Sequence, residues 1–164
     1  MRSSSLIASG VFALLAAAAP ALAFEPIVVI GGQAPVIHPG GGLQEVLATA
    51  AQTDGQFGMH TISDATAGSG PGTIVHDARA EMFYVLEGEY TFTIDGQTNE
   101  GGPGTFVAVP AGTPHGFVNK TPGKLLVFWT PGGFEQFFVD WEEQGLEFGP
   151  ELGALEATYG VTRP

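Results

Sequence analysis

The chain has 164 residues, no cysteine, and 17 acidic residues against 5 basic ones, for a formal net charge of −12 at pH 7. A surface of that sign repels phosphate backbones and anionic lipid headgroups, which argues against nucleic acid and peripheral membrane partners. Without cysteine no disulfide forms, and any metal site must be built from nitrogen and oxygen ligands.

Residues 1–23 read as an export signal. Arg2 gives a thin positive start, residues 6–19 form an apolar run short for a bilayer, and Ala21-Leu22-Ala23 is a small-x-small cleavage site. Cleavage after Ala23 is expected to leave residues 24–164 as one exported domain, periplasmic or secreted, with no stable membrane anchor.

Beyond that point, many of the chain's 25 glycines and 12 prolines punctuate short apolar stretches, the pattern of an all-β sandwich or barrel. Strands are predicted over residues 27–30, 43–48, 57–62, 73–76, 82–86, 90–94, 105–109, 115–118 and 124–129. Asp54-Gly55 and Asp95-Gly96 read as hairpin turns, Glu87-Gly88-Glu89 as another tight turn, and residues 65–72 as a loop. After Pro131-Gly132-Gly133, the residues Phe134, Phe137, Phe138 and Trp141 recur at i, i+3, i+4 and i+7, which predicts a short helix packed as a lid on the core. Residues 151–159 suggest a further helical turn or two. The acids of this tail (Glu135, Asp140, Glu142, Glu143, Glu147, Glu151 and Glu156) face only Arg163 in sequence and read as a solvated acidic face.

Two clusters carry chemistry. Alternation along the strand after Ala80 puts Glu81 on one face with Phe83 and Val85. A carboxylate on an apolar face is expensive unless it is paired or coordinates a cation. His76 stands five residues before it, and His115 opens the apolar segment that follows the Pro110 to Pro114 turn.

Gly104, Pro110, Gly112, His115 and Asn119 meet every position of the pattern G-x5-P-x-G-x2-H-x3-N, and Glu81 with Gly88 meets the end of G-x5-H-x-H-x3-4-E-x6-G. By these motifs, which lie within residues 68–119, the chain resembles the cupin family of small jelly-roll β-barrels. Residues 82–88 and the Phe-rich stretch 130–138 are similar to small cupins described as quercetin 2,3-dioxygenase-like.

The resemblance implies an all-β fold, a single cupin barrel with a short helical C-terminal segment, and the ligand set His76, Glu81 and His115 for a divalent metal: Fe, or Ni, Mn, Cu or Zn. Two histidines and one carboxylate also make the facial set that holds non-haem iron with open positions. The first motif's remaining histidine position falls on Ile74; a second register, with His76 as the first histidine, puts the missing ligand at Ala78. His60 is weighed as a substitute ligand against an ordinary hydrogen-bonded histidine, and His38 reads as a loop residue. Glu81 is the candidate proton acceptor, with Ile74, Phe83, Val85, Phe106 and Phe117 as walls of a small-molecule pocket. The expected activity is a metal-dependent dioxygenase acting on a flavonoid-like or phenolic substrate. The alternative is a non-catalytic extracytoplasmic binding barrel with a degraded metal site; sugar isomerisation or epimerisation also occurs on such folds. The family resemblance further implies a homodimer.

Overall fold

In the computed structural model, which describes residues 24–64 and 66–164, the expected alternation is plainest in the strand Ala80–Glu87. There Glu81, Phe83 and Val85 are buried while Tyr84 and Leu86 are exposed. The export-signal reading of residues 1–23 lies outside the described residues. No helix among the described residues is long and apolar enough to cross a membrane.

The strands in chain order are β1 (Val36–Ile37), β2 (Leu43–Ala48), β3 (Gly58–Asp64), β4 (Val75–His76), β5 (Ala80–Glu87), β6 (Tyr90–Ile94), β7 (Gln97–Gly101), β8 (Phe106–Val109), β9 (His115–Asn119), β10 (Gly123–Thr130) and β11 (Val161–Thr162); the helices α1 (Glu135–Gln144) and α2 (Pro150–Thr158) precede β11. One sheet has the order β1-β2-β3-β10-β5-β8, a second β7-β6-β9, and β4 pairs with β11. An isolated bridge between Ile74 and His115 ties β4 to the second sheet.

Register explains the core. Leu125 lies opposite Val85, Val127 opposite Phe83, and Trp129 opposite Glu81, so the inner faces of β10 and β5 coincide. Phe92 lies opposite Phe117 on the facing sheet. Phe83 joins the two layers, with ring centroids 5.6 Å from both Phe92 and Phe117. Aromatic pairs at this spacing add to the burial that holds two sheets together.

Turn chemistry follows the residues. Asp95 and Gly96 both have positive φ (48° and 75°) between the paired residues Ile94 and Gln97, the two-residue hairpin form whose twist suits the flanking strands. Gly88 (φ 81°) sits where the chain leaves one sheet for the other, and a Cβ there would lie 2.7 Å from Gly123 Cα.

Three strands were not anticipated. β7 reads Gln-Thr-Asn-Glu-Gly and has no apolar face; its backbone pairing to β6 holds it at a sheet edge. β1 and β11 are two-residue pairings too short to leave a pattern. Conversely, the strand predicted over residues 27–30 is irregular: Val28 and Ile30 are exposed, so the apolar run meets no sheet.

The predicted lid is present as α1. Phe134, its N-cap residue, and Phe137 and Trp141 are buried, while Phe138 is half-buried. The solvated acidic face is corrected at two positions. Glu135 is buried and accepts from the backbone N–H of Ala50 (2.5 Å) and of Gly133 (2.7 Å). Glu156 is buried and paired with the Arg163 guanidinium through two contacts. Both acids fasten the tail to the barrel.

Candidate metal centre

His76 ends the short strand β4, Glu81 is the second residue of β5, and His115 opens β9. All three side chains are buried, and one ligand atom from each lies within 4.8 Å of the others. Glu81 Oε2 is the hub, 3.0 Å from His76 Nε2 and 2.8 Å from His115 Nε2. Donor atoms adjacent on an octahedron with bonds near 2.05 Å stand about 2.9 Å apart, and the two nitrogen-to-Oε2 separations are of the size that a divalent first-row ion would need.

The surroundings orient these ligands unequally. His115 Nδ1 lies 2.7 Å from the Thr113 carbonyl, which can only accept, so Nδ1 carries the hydrogen and Nε2 faces the site. Trp129 Nε1 donates to Glu81 Oε1 at 2.9 Å and leaves Oε2 free for the site. His76 Nδ1 is buried without a hydrogen-bond partner among the described residues, and its ring is held by Phe134, edge-on at 4.4 Å between centroids.

Charge in the trio is polarised. Burial pushes the Glu81 carboxyl up, but hydrogen bonds and charge from His115 and His76 outweigh it and hold the group below the ordinary carboxylate value. Burial pushes His115 down, but Glu81 and the Thr113 carbonyl outweigh that and hold it above the ordinary value. The trio therefore keeps an ionised carboxylate against a proton-bearing imidazole, and a metal ion would take that proton's place.

Ile74 and His76 are buried with Val75 less so between them, so positions 74 and 76 share the inward face. Ile74 is fixed by backbone bonds to His115 in both directions, N to O at 2.8 and 2.9 Å. Ala78 is exposed, which removes the register that places a ligand there. His60 is buried on β3, hydrogen-bonded to Gln44 and outside the trio. His38 is exposed near Glu142.

A cavity of about 760 Å³ reaches Glu81. Ile74 and Phe117 line it from the barrel, and Phe134, Phe137 and Phe138 line it from the lid. Phe83 and Val85 are buried in the core cluster. Phe106 is a correction: its side chain is 63% exposed on the outer face. It lies opposite the exposed Tyr84, so β8 runs in the opposite phase to the expected one and turns Val109 inward.

The residues missed by sequence reasoning are Trp129 and the Thr113 carbonyl. Parity along β10 marks Trp129 as inward, but only the register with β5 sets it opposite Glu81. A carbonyl leaves no trace in residue type.

Residues 62–131 match the family model described as Cupin domain. The chain is 34% identical over 144 residues to quercetin 2,3-dioxygenase of Bacillus subtilis (strain 168); the match covers 80% of this chain and 42% of that protein, so the chain spans less than half the relative's length. Among solved structures it is similar to an RmlC-like cupin from Shewanella frigidimarina NCIMB 400 (22% identity, TM-score 0.58, 69% of this chain and 97% of that one). It is also similar to KdgF from Halomonas sp. (18% identity, TM-score 0.56, 65% and 94%). At these identities the two structures speak to the fold alone.

Proposed function

The chain carries a cupin domain on a cupin fold with two C-terminal helices and is distantly related to quercetin 2,3-dioxygenase, and from that premise we propose that it is a metal-dependent dioxygenase acting on a flavonoid-like or other phenolic substrate. The observation that carries the reading is the convergence of His76 Nε2 and His115 Nε2 on one buried Glu81 oxygen beside an aromatic cavity. His76, Glu81 and His115 would hold the ion, with iron favoured by the two-histidine, one-carboxylate donor set, and nickel, manganese, copper or zinc also admitted. Such an ion supplies Lewis-acid and redox chemistry toward a phenol and dioxygen.

The protein's own residues do the rest. Glu81, held at Oε1 by Trp129, would trade coordination at Oε2 for the proton of a substrate hydroxyl. Ile74, Phe117 and the lid phenylalanines exclude water and bind the flat ring system. Ile74 at the first motif's first histidine position leaves room for that ring where a fourth ligand would stand. On the strength of residues 1–23, we place the activity outside the cytoplasm.

The test is elemental analysis of untagged protein purified without chelators, followed by oxygen uptake with quercetin, with His115→Ala as control. Near-stoichiometric metal and oxygen uptake, both lost in the control, support the reading. Protein that stays metal-free after incubation with divalent ions overturns it. Metal without oxygen uptake leaves the non-catalytic binding barrel, which the apolar Ile74 side chain favours.

A further inference from the structure

His60 is fully buried on β3, and its two ring nitrogens differ in kind. Nδ1 lies 3.0 Å from Gln44 Oε1. An amide oxygen only accepts, so Nδ1 carries the hydrogen and Nε2 presents a lone pair. That lone pair has no partner among the described residues. Burial holds the imidazole down to about 4, so the ring is neutral near pH 7 and Nε2 remains an acceptor. Buried polar atoms of folded proteins nearly always find a partner, so an acceptor left without one by the described residues is open to a donor from outside them.

The position of His60 relates it to the metal centre. Trp129 lies opposite Gly58 on one side and Glu81 on the other, and His60, two residues on from Gly58, shares their inward face. Two inter-strand spacings separate β3 from β5, about 10 Å. Gln44 and Phe138 both line the cavity, and both touch His60: the first by its hydrogen bond, the second with ring centroids 5.7 Å apart. Phe134 and Phe137 are packed tightly, whereas Phe138 is half-buried and has empty cavity to turn into.

We propose that His60 and Gln44 form a second binding subsite of the cavity, in which His60 Nε2 accepts a hydrogen bond from a ligand hydroxyl once the Phe138 ring turns aside. The inference rests on the phenolic reading above and narrows it. The substrate carries an O–H on a rigid aromatic frame, roughly 12 Å from the group presented to Glu81, since His60 is set off from Glu81 by two inter-strand spacings across the sheet and two residues along it. A carboxylate or phosphate at that end is rejected, because its oxygens would meet a lone pair. An ether or a bare ring leaves Nε2 without a donor.

The experiment measures anaerobic binding of two probes to the metal-loaded protein by tryptophan fluorescence. 3-Hydroxyflavone and quercetin share the 3-hydroxy-4-oxo unit, and only quercetin bears hydroxyls on the outer rings. The native chain is expected to bind quercetin about tenfold more tightly, the scale of one well-made hydrogen bond to a buried group. His60→Phe removes that preference and leaves 3-hydroxyflavone unaffected; Gln44→Met, which frees Nδ1 and lets the tautomer switch, weakens it too. Phe138→Ala keeps the preference and speeds quercetin binding. 3-Hydroxyflavone binding with no preference for quercetin overturns the subsite and spares the phenolic reading, as does a preference unchanged by both His60→Phe and Gln44→Met. Binding of neither flavonol overturns the phenolic reading and the subsite with it.

Discussion

The indole N–H of Trp129 is hydrogen-bonded to Glu81 Oε1 at 2.9 Å, with both side chains buried. The bond fixes which carboxylate oxygen faces His76 and His115. Trp129→Phe keeps most of the ring volume and loses the donor. Partners behind a metal ligand typically command 10–100-fold in affinity, so metal binding is expected to fall by about that factor. Competition with a chelator of known affinity measures it, and unchanged affinity shows that packing alone orients Glu81.

Position 74 gives the opposite sign. Ile74 is buried beside His76 on the inward face, and its backbone is pinned to His115. Ile74→His adds a nitrogen donor where the first motif has one, and metal affinity is expected to rise by about tenfold or more, the scale that even outer partners of ligands command. No gain in the same chelator competition removes position 74 from the coordination sphere.

His76 depends on the tail of the chain. β4 pairs with β11 through Val161 opposite His76, the Asp77 N–H donates to the Gly160 carbonyl at 2.9 Å, and Gly112 N–H donates to the His76 carbonyl at 2.8 Å. The ring itself has no hydrogen bond at Nδ1 among the described residues. Removing residues 161–164 takes away the ladder and the Arg163 link to Glu156, so metal should be lost on dialysis while the far-UV spectrum stays that of the barrel. Full retention of metal in the shortened chain shows that Gly112 and the barrel suffice.

The site was legible where chemistry and turn geometry coincide in one residue. His115, Gly112 and Pro110 sit in a fixed turn, and Glu81 announced itself as a carboxylate on an apolar face. Asn119 belongs to the same motif for another reason: Oδ1 accepts from Ser69 N–H at 2.6 Å, and Nδ2 donates to the carbonyls of Thr66 and Thr121, so it closes a loop and touches no ligand. Phe106 was misplaced because a four-residue strand offers too few alternations to set its phase, and its pairing with β5 decides it. β7 escaped because its stability lies in backbone bonds to β6, which any polar sequence can make. Trp129 shows nothing of its role in the sequence, since the identity of its polar partner depends on the β10–β5 register, a property of two distant segments.

The pH dependence of stability turns on His60, whose pKa is lowered by burial to about 4 from an ordinary value of 6.5. The unfolded chain binds a proton there as pH falls below 6.5, and the folded chain does so only near 4. Between those values the unfolded state holds more protons, so stability rises with pH across that window and is lost as pH falls through it. From pH 7 to pH 5 the loss from this group is about 2 kcal/mol. His115 moves the other way: its raised pKa contributes stability at low pH that fades as pH rises, so the total change in the native chain is a difference of two opposed terms. His60→Phe isolates the first. Urea unfolding of metal-free protein at pH 7 and pH 5 should show the native chain losing about 2 kcal/mol more than the variant across that interval. Equal losses in the two proteins mean that the His60 imidazole protonates in the folded state as easily as in water, and that its cavity-side neighbours admit solvent to Nε2.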